Sequence, residues 1–324
     1  MKIHSYINNN DIITEVIIMN SYLVIFVLGI TILSFGSQAG QWHDMKWDRP
    51  VGHVVVQYNM ESGQTAVFAE EHDTGDLYEW DGLMAEWNRV AHVSARYATD
   101  GIGLYRLQED GRIGKYNPQT GLWTNILASG NNAFDLYGGA GKLYYKKDDG
   151  SIYEYEGTPQ QWTKILDGPT SALDGYLRIG GEINEPKVYA YPMHGALYEY
   201  QGTPENWEQI YAPQNFIYIL AGGPGLFGMD ENGFYRITGP NSRVKITEAG
   251  RSAAVQVVDK GKSCYLLVLS NDGDRIQRYD AGVAPTNLLD AMETIITATR
   301  LDTIYAGGNK IIGVDSSGGM YQYF

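Results

Sequence analysis

Two loops of nearly the same wording carry side chains suited to one kind of chemistry. One reads EGTPQQW from Glu156 and the other QGTPENW from Gln201, and each follows a pair of aromatic residues, Tyr153/Tyr155 or Tyr198/Tyr200. The flat face of an aromatic ring stacks on the apolar face of a pyranose, while hydroxyls, amides and carboxylates beside it bond the sugar's hydroxyls. On that chemistry Tyr155, Glu156, Thr158 and Trp162 form one candidate carbohydrate-binding set, and Tyr200, Gln201, Thr203 and Trp207 form a second. The same residues have a structural reading, in which a proline-fixed turn is retained from an ancestral repeat and the recurring Trp packs between neighbouring units. Glu79, Glu154 and Glu199 lie between paired aromatics and so on the opposite face of a strand, as solvated residues or as hydroxyl acceptors.

Catalytic constellations are thin by comparison. The histidines are His4, His43, His53, His72, His92 and His194, and no pair has the spacing of a helical metal motif. The chain contains no HExxH, GxSxG or GxxxxGK[ST] pattern. The acidic runs around Asp148 and Asp272 lack the alternating ligands and distal Glu of an EF-hand and read as hairpin turns. SNDGDRIQ at Ser270 matches only part of the sialidase Asp-box, lacking its Gly and Trp. No metal and no cofactor is therefore expected.

The elements that must position these residues emerge from a repeat. Turn glycines followed by a short aromatic strand recur at Gly75, Gly111, Gly150, Gly195, Gly233, Gly273 and Gly319, spaced by 36 to 46 residues. An apolar strand precedes each, as in KLYYKK or KIIGVD, and a Gly-rich turn with a further apolar run precedes that, as at Gly138, Gly222 and Gly307. A Trp-led strand follows at Trp87, Trp123, Trp162 and Trp207, with weaker versions from Val244 and from Asn287. Four strands in about forty residues make one blade, so the sequence predicts an all-β fold: a seven-bladed β-propeller of four-stranded blades.

Closure is also written in the order of the strands. The seventh copy ends at Phe324 after its third strand, while MKWDRP, with Trp47, stands before the first copy. The ring is thus expected to close through an N-terminal strand, within Met45–Pro50, that completes the last blade and hides the edges an open array would expose.

Composition bounds the rest. The 324 residues carry a formal net charge of −14 with no run of Lys or Arg, which disfavours phosphate backbones and anionic lipid surfaces. The single cysteine, Cys264, excludes an intrachain disulfide and lies in an apolar run, where it reads as an inert buried thiol. Tyr22 to Phe35 is fourteen residues without a charge, followed by small residues at Ser37 and Ala39. Residues 1–39 read as a signal peptide cleaved after Ala39, with Met19 as an alternative start, leaving residues 40–324 as the propeller. The alternative is an uncleaved anchor through Ile17–Phe35, with the protein held at a membrane. With no Asn-x-Ser/Thr sequon and one cysteine, an exported fold of this kind must rest on its core alone.

The units LYEYQGTPENWEQI at Leu197 and IYEYEGTPQQWTKI at Ile152 resemble the repeats of tectonin- and tachylectin-type β-propeller lectins. That resemblance is close over the third and fourth copies, while the fifth and sixth lack the Trp. It implies a secreted, non-enzymatic, multivalent carbohydrate-binding protein whose partners are glycans on cell surfaces or glycoproteins, without nucleic acid and without stable membrane insertion. The alternative is an extracellular protein–protein interaction propeller, with a glycan-active enzyme behind it, because propellers host all three.

Overall fold

The computed structural model describes residues 40–324 apart from 83–85, 168–174, 193–194, 214–215, 282–292 and 298. Residues Trp42–Phe324 form one unit of seven four-stranded antiparallel sheets, the blades of the expected β-propeller. Within each blade the strands are lettered a to d outward. The a strands, which neighbour one another around the ring, are Val51–Tyr58, Ala95–Thr99, Ala133–Gly139, Gly175–Glu182, Tyr218–Gly222, Ser252–Val258 and Leu301–Gly307. The b strands are Thr65–Glu71, Leu104–Gln108, Lys142–Lys147, Glu185–Pro192, Gly225–Asp230, Ser263–Leu269 and Lys310–Asp315. The c strands are Asp76–Trp80, Ile113–Asn117, Ile152–Tyr155, Leu197–Tyr200, Gly233–Gly239, Arg275–Asp280 and Met320–Tyr323. Outermost are Trp87–His92, Leu122–Leu127, Trp162–Leu166, Trp207–Tyr211, Ser242–Thr247, Glu293–Ile296 and, for blade seven, Trp42–Asp44. This up-and-down order puts the b–c and d–a loops on one face of the ring, called upper here, and the a–b and c–d loops on the lower face.

The ring closes through its N-terminal strand, but not through the expected residues. Strand d of blade seven is Trp42–Asp44, with Trp42 opposite Tyr323 and Asp44 opposite Tyr321. Met45 to Pro50 instead leads from that strand into blade one, and Trp47 packs edge-on against Trp87 at 4.7 Å and Tyr78 at 5.7 Å. The deciding residue is the fourth: WHDM at Trp42 matches WNRV, WTNI, WTKI and WEQI, and its Met45 N–H donates to the Met320 carbonyl at 2.9 Å, while WDRP at Trp47 has Pro50 there, without an N–H. Two smaller shifts accompany it. Strand d of blade six is Glu293–Ile296, and the expected start at Asn287 lies outside the described residues. In blade seven the turn glycine with positive φ is Gly318 (φ 86°), one residue before the expected Gly319.

Seven apolar clusters hold the blades, each filling the seam between two neighbours. The b strands explain why these segments read as continuous apolar runs rather than as alternating ones. Both sheet faces are covered, so successive side chains go to opposite seams. Leu143 and Tyr145 enter the seam with blade two, and Tyr144 between them enters the seam with blade four. Cys264, Leu266 and Val268 likewise face blade five while Leu267 and Leu269 face blade seven. Burial pushes the Cys264 thiol up to about 12, so it stays protonated at neutral pH.

Polar bonds cross the same seams at the outer edge. The indole Nε1 of Trp87 donates to the Met45 carbonyl, Trp123 to Val90, Trp162 to Ile126, Trp207 to Ile165 and Trp42 to Ile296, at 2.9 to 3.3 Å. Each acceptor belongs to the outer edge of the preceding blade. Each Trp also packs on the residue opposite it in strand c, with ring centres 4.8 to 5.3 Å apart. Trp42→Ala removes one such ring pair and one such bond at the closure itself. It should lower the unfolding free energy in urea by about 2 kcal/mol, a ring pair and a hydrogen bond each contributing about 1. Trp47→Ala should act on the seam between blades seven and one without releasing the closing strand. Hydrogen exchange would separate the two, since only the first should speed exchange in Met320–Tyr323.

Candidate functional site

The sequence-selected residues lie on the lower face, in the c–d loops of blades three and four. Tyr155 sits directly opposite Trp162 and Tyr200 opposite Trp207, at ring distances of 4.8 and 5.1 Å. Glu156, Thr158, Gln201 and Thr203 are exposed, whereas Tyr155 is only 8% exposed and both indole N–H groups are taken by carbonyls of the preceding blade. The two loops fold alike: the Thr158 carbonyl accepts from Gln161 N–H and the Thr203 carbonyl from Asn206 N–H, both at 3.0 Å.

A residue in each loop that sequence reasoning passed over explains much of their likeness. Gln160 and Glu205, both at positive φ, reach across the seam with backbone and side chain together. Gln160 N–H donates to the Ile126 carbonyl at 2.9 Å while its Oε1 accepts from Ala128 N–H at 3.0 Å. Glu205 repeats this on Ile165 and Asp167, at 3.1 and 2.6 Å. Asn241 in blade five does the same on Ile210 and Ala212, at 3.0 and 2.7 Å, without any Trp beside it. The available signal was an amide or carboxylate two residues before the strand d position of Trp, in PQQW, PENW and PNSR.

The structure brings Tyr155 together with residues of other blades. A lower-face groove of about 940 Å³ is lined by Trp80, Tyr116 and Tyr155 from three successive c strands, with Glu79 and Lys115 among the polar groups. Gly157 and Pro159 of the first candidate loop reach it. Burial raises the Glu79 carboxyl above its usual range and lowers Lys310, which also lines the groove.

The upper face is built differently. The central channel narrows toward the lower side, where Gly181 N–H donates to the Gly223 carbonyl at 2.6 Å and a Cβ on Gly222 would lie 2.7 Å from Val255. Toward the upper side it holds a cavity of about 320 Å³ lined by His53, Tyr137 and Arg178 among others. Arg178 donates from Nε to the Ile219 carbonyl at 2.8 Å and from Nη1 to its neighbour Leu177 at 2.7 Å, and burial lowers its pKa. Burial also holds His53 below the ordinary histidine value, which favours the neutral ring. Around this mouth Phe134, Tyr176 and Ile217 are 52%, 50% and 57% exposed. Phe134 and Tyr176 are the second residues of strand a in blades three and four, and Ile217 stands one residue before strand a of blade five. Among the described residues no group of three or more His, Cys, Asp or Glu is placed to hold a metal ion, and no helix is long and apolar enough to cross a membrane.

No protein-family model and no curated protein sequence matches the chain. Solved propellers do match in fold. YCF48 from Cyanidioschyzon merolae is 12% identical with a TM-score of 0.53, covering 87% of this chain and 98% of its own. YCF48 bound to D1 peptide is 10% identical with a TM-score of 0.57, over 88% and 96% of the two chains. BBS1N in complex with ARL6DN is 12% identical with a TM-score of 0.57, over 88% and 97%. The class this fold defines is the seven-bladed β-propeller, and at these identities the likeness extends no further than the fold.

One carboxylate near the upper face links charge to stability. Asp76, 4% exposed at the start of strand c in blade one, accepts from Arg89 Nη1 at 3.1 Å and contacts His92 Nδ1. Burial alone would raise its carboxyl, but the hydrogen bonds from His92 and Arg89 outweigh it and hold it below the usual 3.8. A lowered folded pKa means this stabilisation is present above the unfolded value and is lost as pH falls through the folded one. Asp76→Asn should therefore lower the urea unfolding free energy at neutral pH by about 1 kcal/mol, the exposed partners screening the charge. The difference from the parent should vanish in acid below the folded pKa.

Proposed function

We propose that this chain is a non-enzymatic interaction propeller that binds a protein partner on its upper face. The observation that carries this reading is the placement of Phe134, Tyr176 and Ile217, three large exposed side chains at the upper ends of three consecutive inner strands. Grouped exposed apolar side chains around a rigid opening mark interaction sites, whereas scattered ones do not. Propellers of the same fold include one bound to the D1 peptide and one in complex with ARL6DN, which shows that such discs can serve partners of this kind. The uncharged run Tyr22–Phe35 supports export to an extracellular setting, or retention there by an anchor.

Replacing Phe134, Tyr176 and Ile217 together with Ser should leave the melting temperature within a few degrees of the parent, because all three are exposed. Proteins cross-linked to the parent and identified by mass spectrometry should be lost, with affinity falling by at least about thirtyfold, the scale of a 2 kcal/mol hot spot. Retention of every cross-linked partner would defeat the reading.

A second reading keeps the glycan. It is favoured by the position of Tyr155, which lines the 940 Å³ groove together with Trp80, Tyr116 and several polar groups. It predicts binding to immobilised glycans that strengthens with ligand density and weakens in Trp80→Ala at unchanged folded fraction. A blank glycan array would remove it, and binding lost only in step with stability would reassign the aromatic rings to the blade seams.

A further inference from the structure

Beside the exposed rim, a groove of about 650 Å³ runs across blades one, two and three on the upper face. One wall is the b–c turn of blade two, with Glu109, and another is that of blade three, with Asp148. Glu70, from strand b of blade one, and Phe134 also line it. The walls are fixed to one another: Gly130 N–H donates to the Asp110 carbonyl at 3.1 Å and Asp148 N–H to the Asn132 carbonyl at 3.3 Å. The occupant therefore meets a formed surface and spends little on ordering it.

The cations of this region already have partners. Arg96 lies 4.7 Å from the Phe134 ring centre and pairs with Asp135 at 3.1 Å. Arg112 pairs with Asp110 at 2.7 Å. Glu109 and Asp148 have no cation within ion-pair distance among the described residues, and Glu70 is half-buried with burial raising its carboxyl. An uncharged or acidic segment laid here would strip water from these carboxylates and return nothing. A basic side chain returns charge-assisted bonds and can lay its methylene stem along an apolar ring.

We infer that this groove receives an arginine- or lysine-bearing segment of the protein partner, its cation between Glu70, Glu109 and Asp148 and its neighbouring apolar residue on Phe134. The inference rests on the upper face being the docking face.

A labelled peptide alternating arginine and leucine serves as the probe, read by fluorescence anisotropy against the full chain. Glu109→Gln with Asp148→Gln should weaken it at least about tenfold, as expected when close charge partners are removed at an interface. Glu61→Gln with Glu185→Gln, two exposed carboxylates of the lower face, changes net charge equally and should leave the affinity unchanged. Equal loss in both variants, or equal affinity for a glutamate–leucine peptide, would overturn the inference by reducing it to bulk attraction. The cross-linked partner separates this idea from the one beneath it. If Tyr176→Ser with Ile217→Ser loses the partner and the groove variant keeps it, the groove assignment falls and the docking face stands. If neither loses it, the docking face falls as well.

Discussion

Every blade of this ring that carries an outer Trp leans on its predecessor through the same bond, an indole N–H donated to a carbonyl on the preceding blade's outer edge. Five Trp residues make it, Trp42, Trp87, Trp123, Trp162 and Trp207. The bond needs a ring of indole length anchored on strand d, and a stacking partner on strand c to hold its angle. Those two requirements fix the aromatic pairs, and the pairs in turn fix how the c–d loops leave the sheet. Where blade five has no Trp, the Asn241 backbone and side chain take over the contact. The apolar seams supply most of the driving force for association of blades, since burial is non-directional. The outer bonds supply register, because a donor and acceptor tolerate little displacement.

That division of labour shapes the two faces. The lower face holds many contacts between blades: interlocked a–b turns, glycines that let the a strands converge, and c–d loops that staple blades three, four and five to the one before. A groove of about 940 Å³ on it is lined by Trp80 and by the nearly buried Tyr116 and Tyr155. On the upper face the a strands of blades three to five begin with side chains that no seam absorbs. An interaction surface can vary there without loosening the ring. This is the physical basis for preferring the upper face as the place where a partner docks.

Much of this was legible in the sequence, because a repeat read seven times averages out local ambiguity. The turn glycines, the apolar b strands and the Trp-led d strands each recurred in phase, so blade number and strand order followed from spacing alone. The closing strand was displaced by a few residues because Trp42 and Trp47 both stand at acceptable distances from Gly75. Only the fourth residue distinguishes them: Met45 donates its N–H to Met320 and offers the carbonyl that Trp87 requires, whereas Pro50 has no N–H to donate.

Chain periodicity by itself determined that this protein is a closed ring of seven blades, since strand length, turn chemistry and repeat order are local properties. It could not decide what the repeated residues are for. Trp162 and Gln160 have the composition of a ligand site, yet their hydrogen-bonding groups reach across a seam to residues more than thirty positions earlier. Phe134, Tyr176 and Ile217 are about forty residues apart and look like ordinary strand residues until the ring brings the ends of their three strands to one face. Grouping of that kind arises only when blades pack, and so only the tertiary structure could bring these residues to one face of the ring.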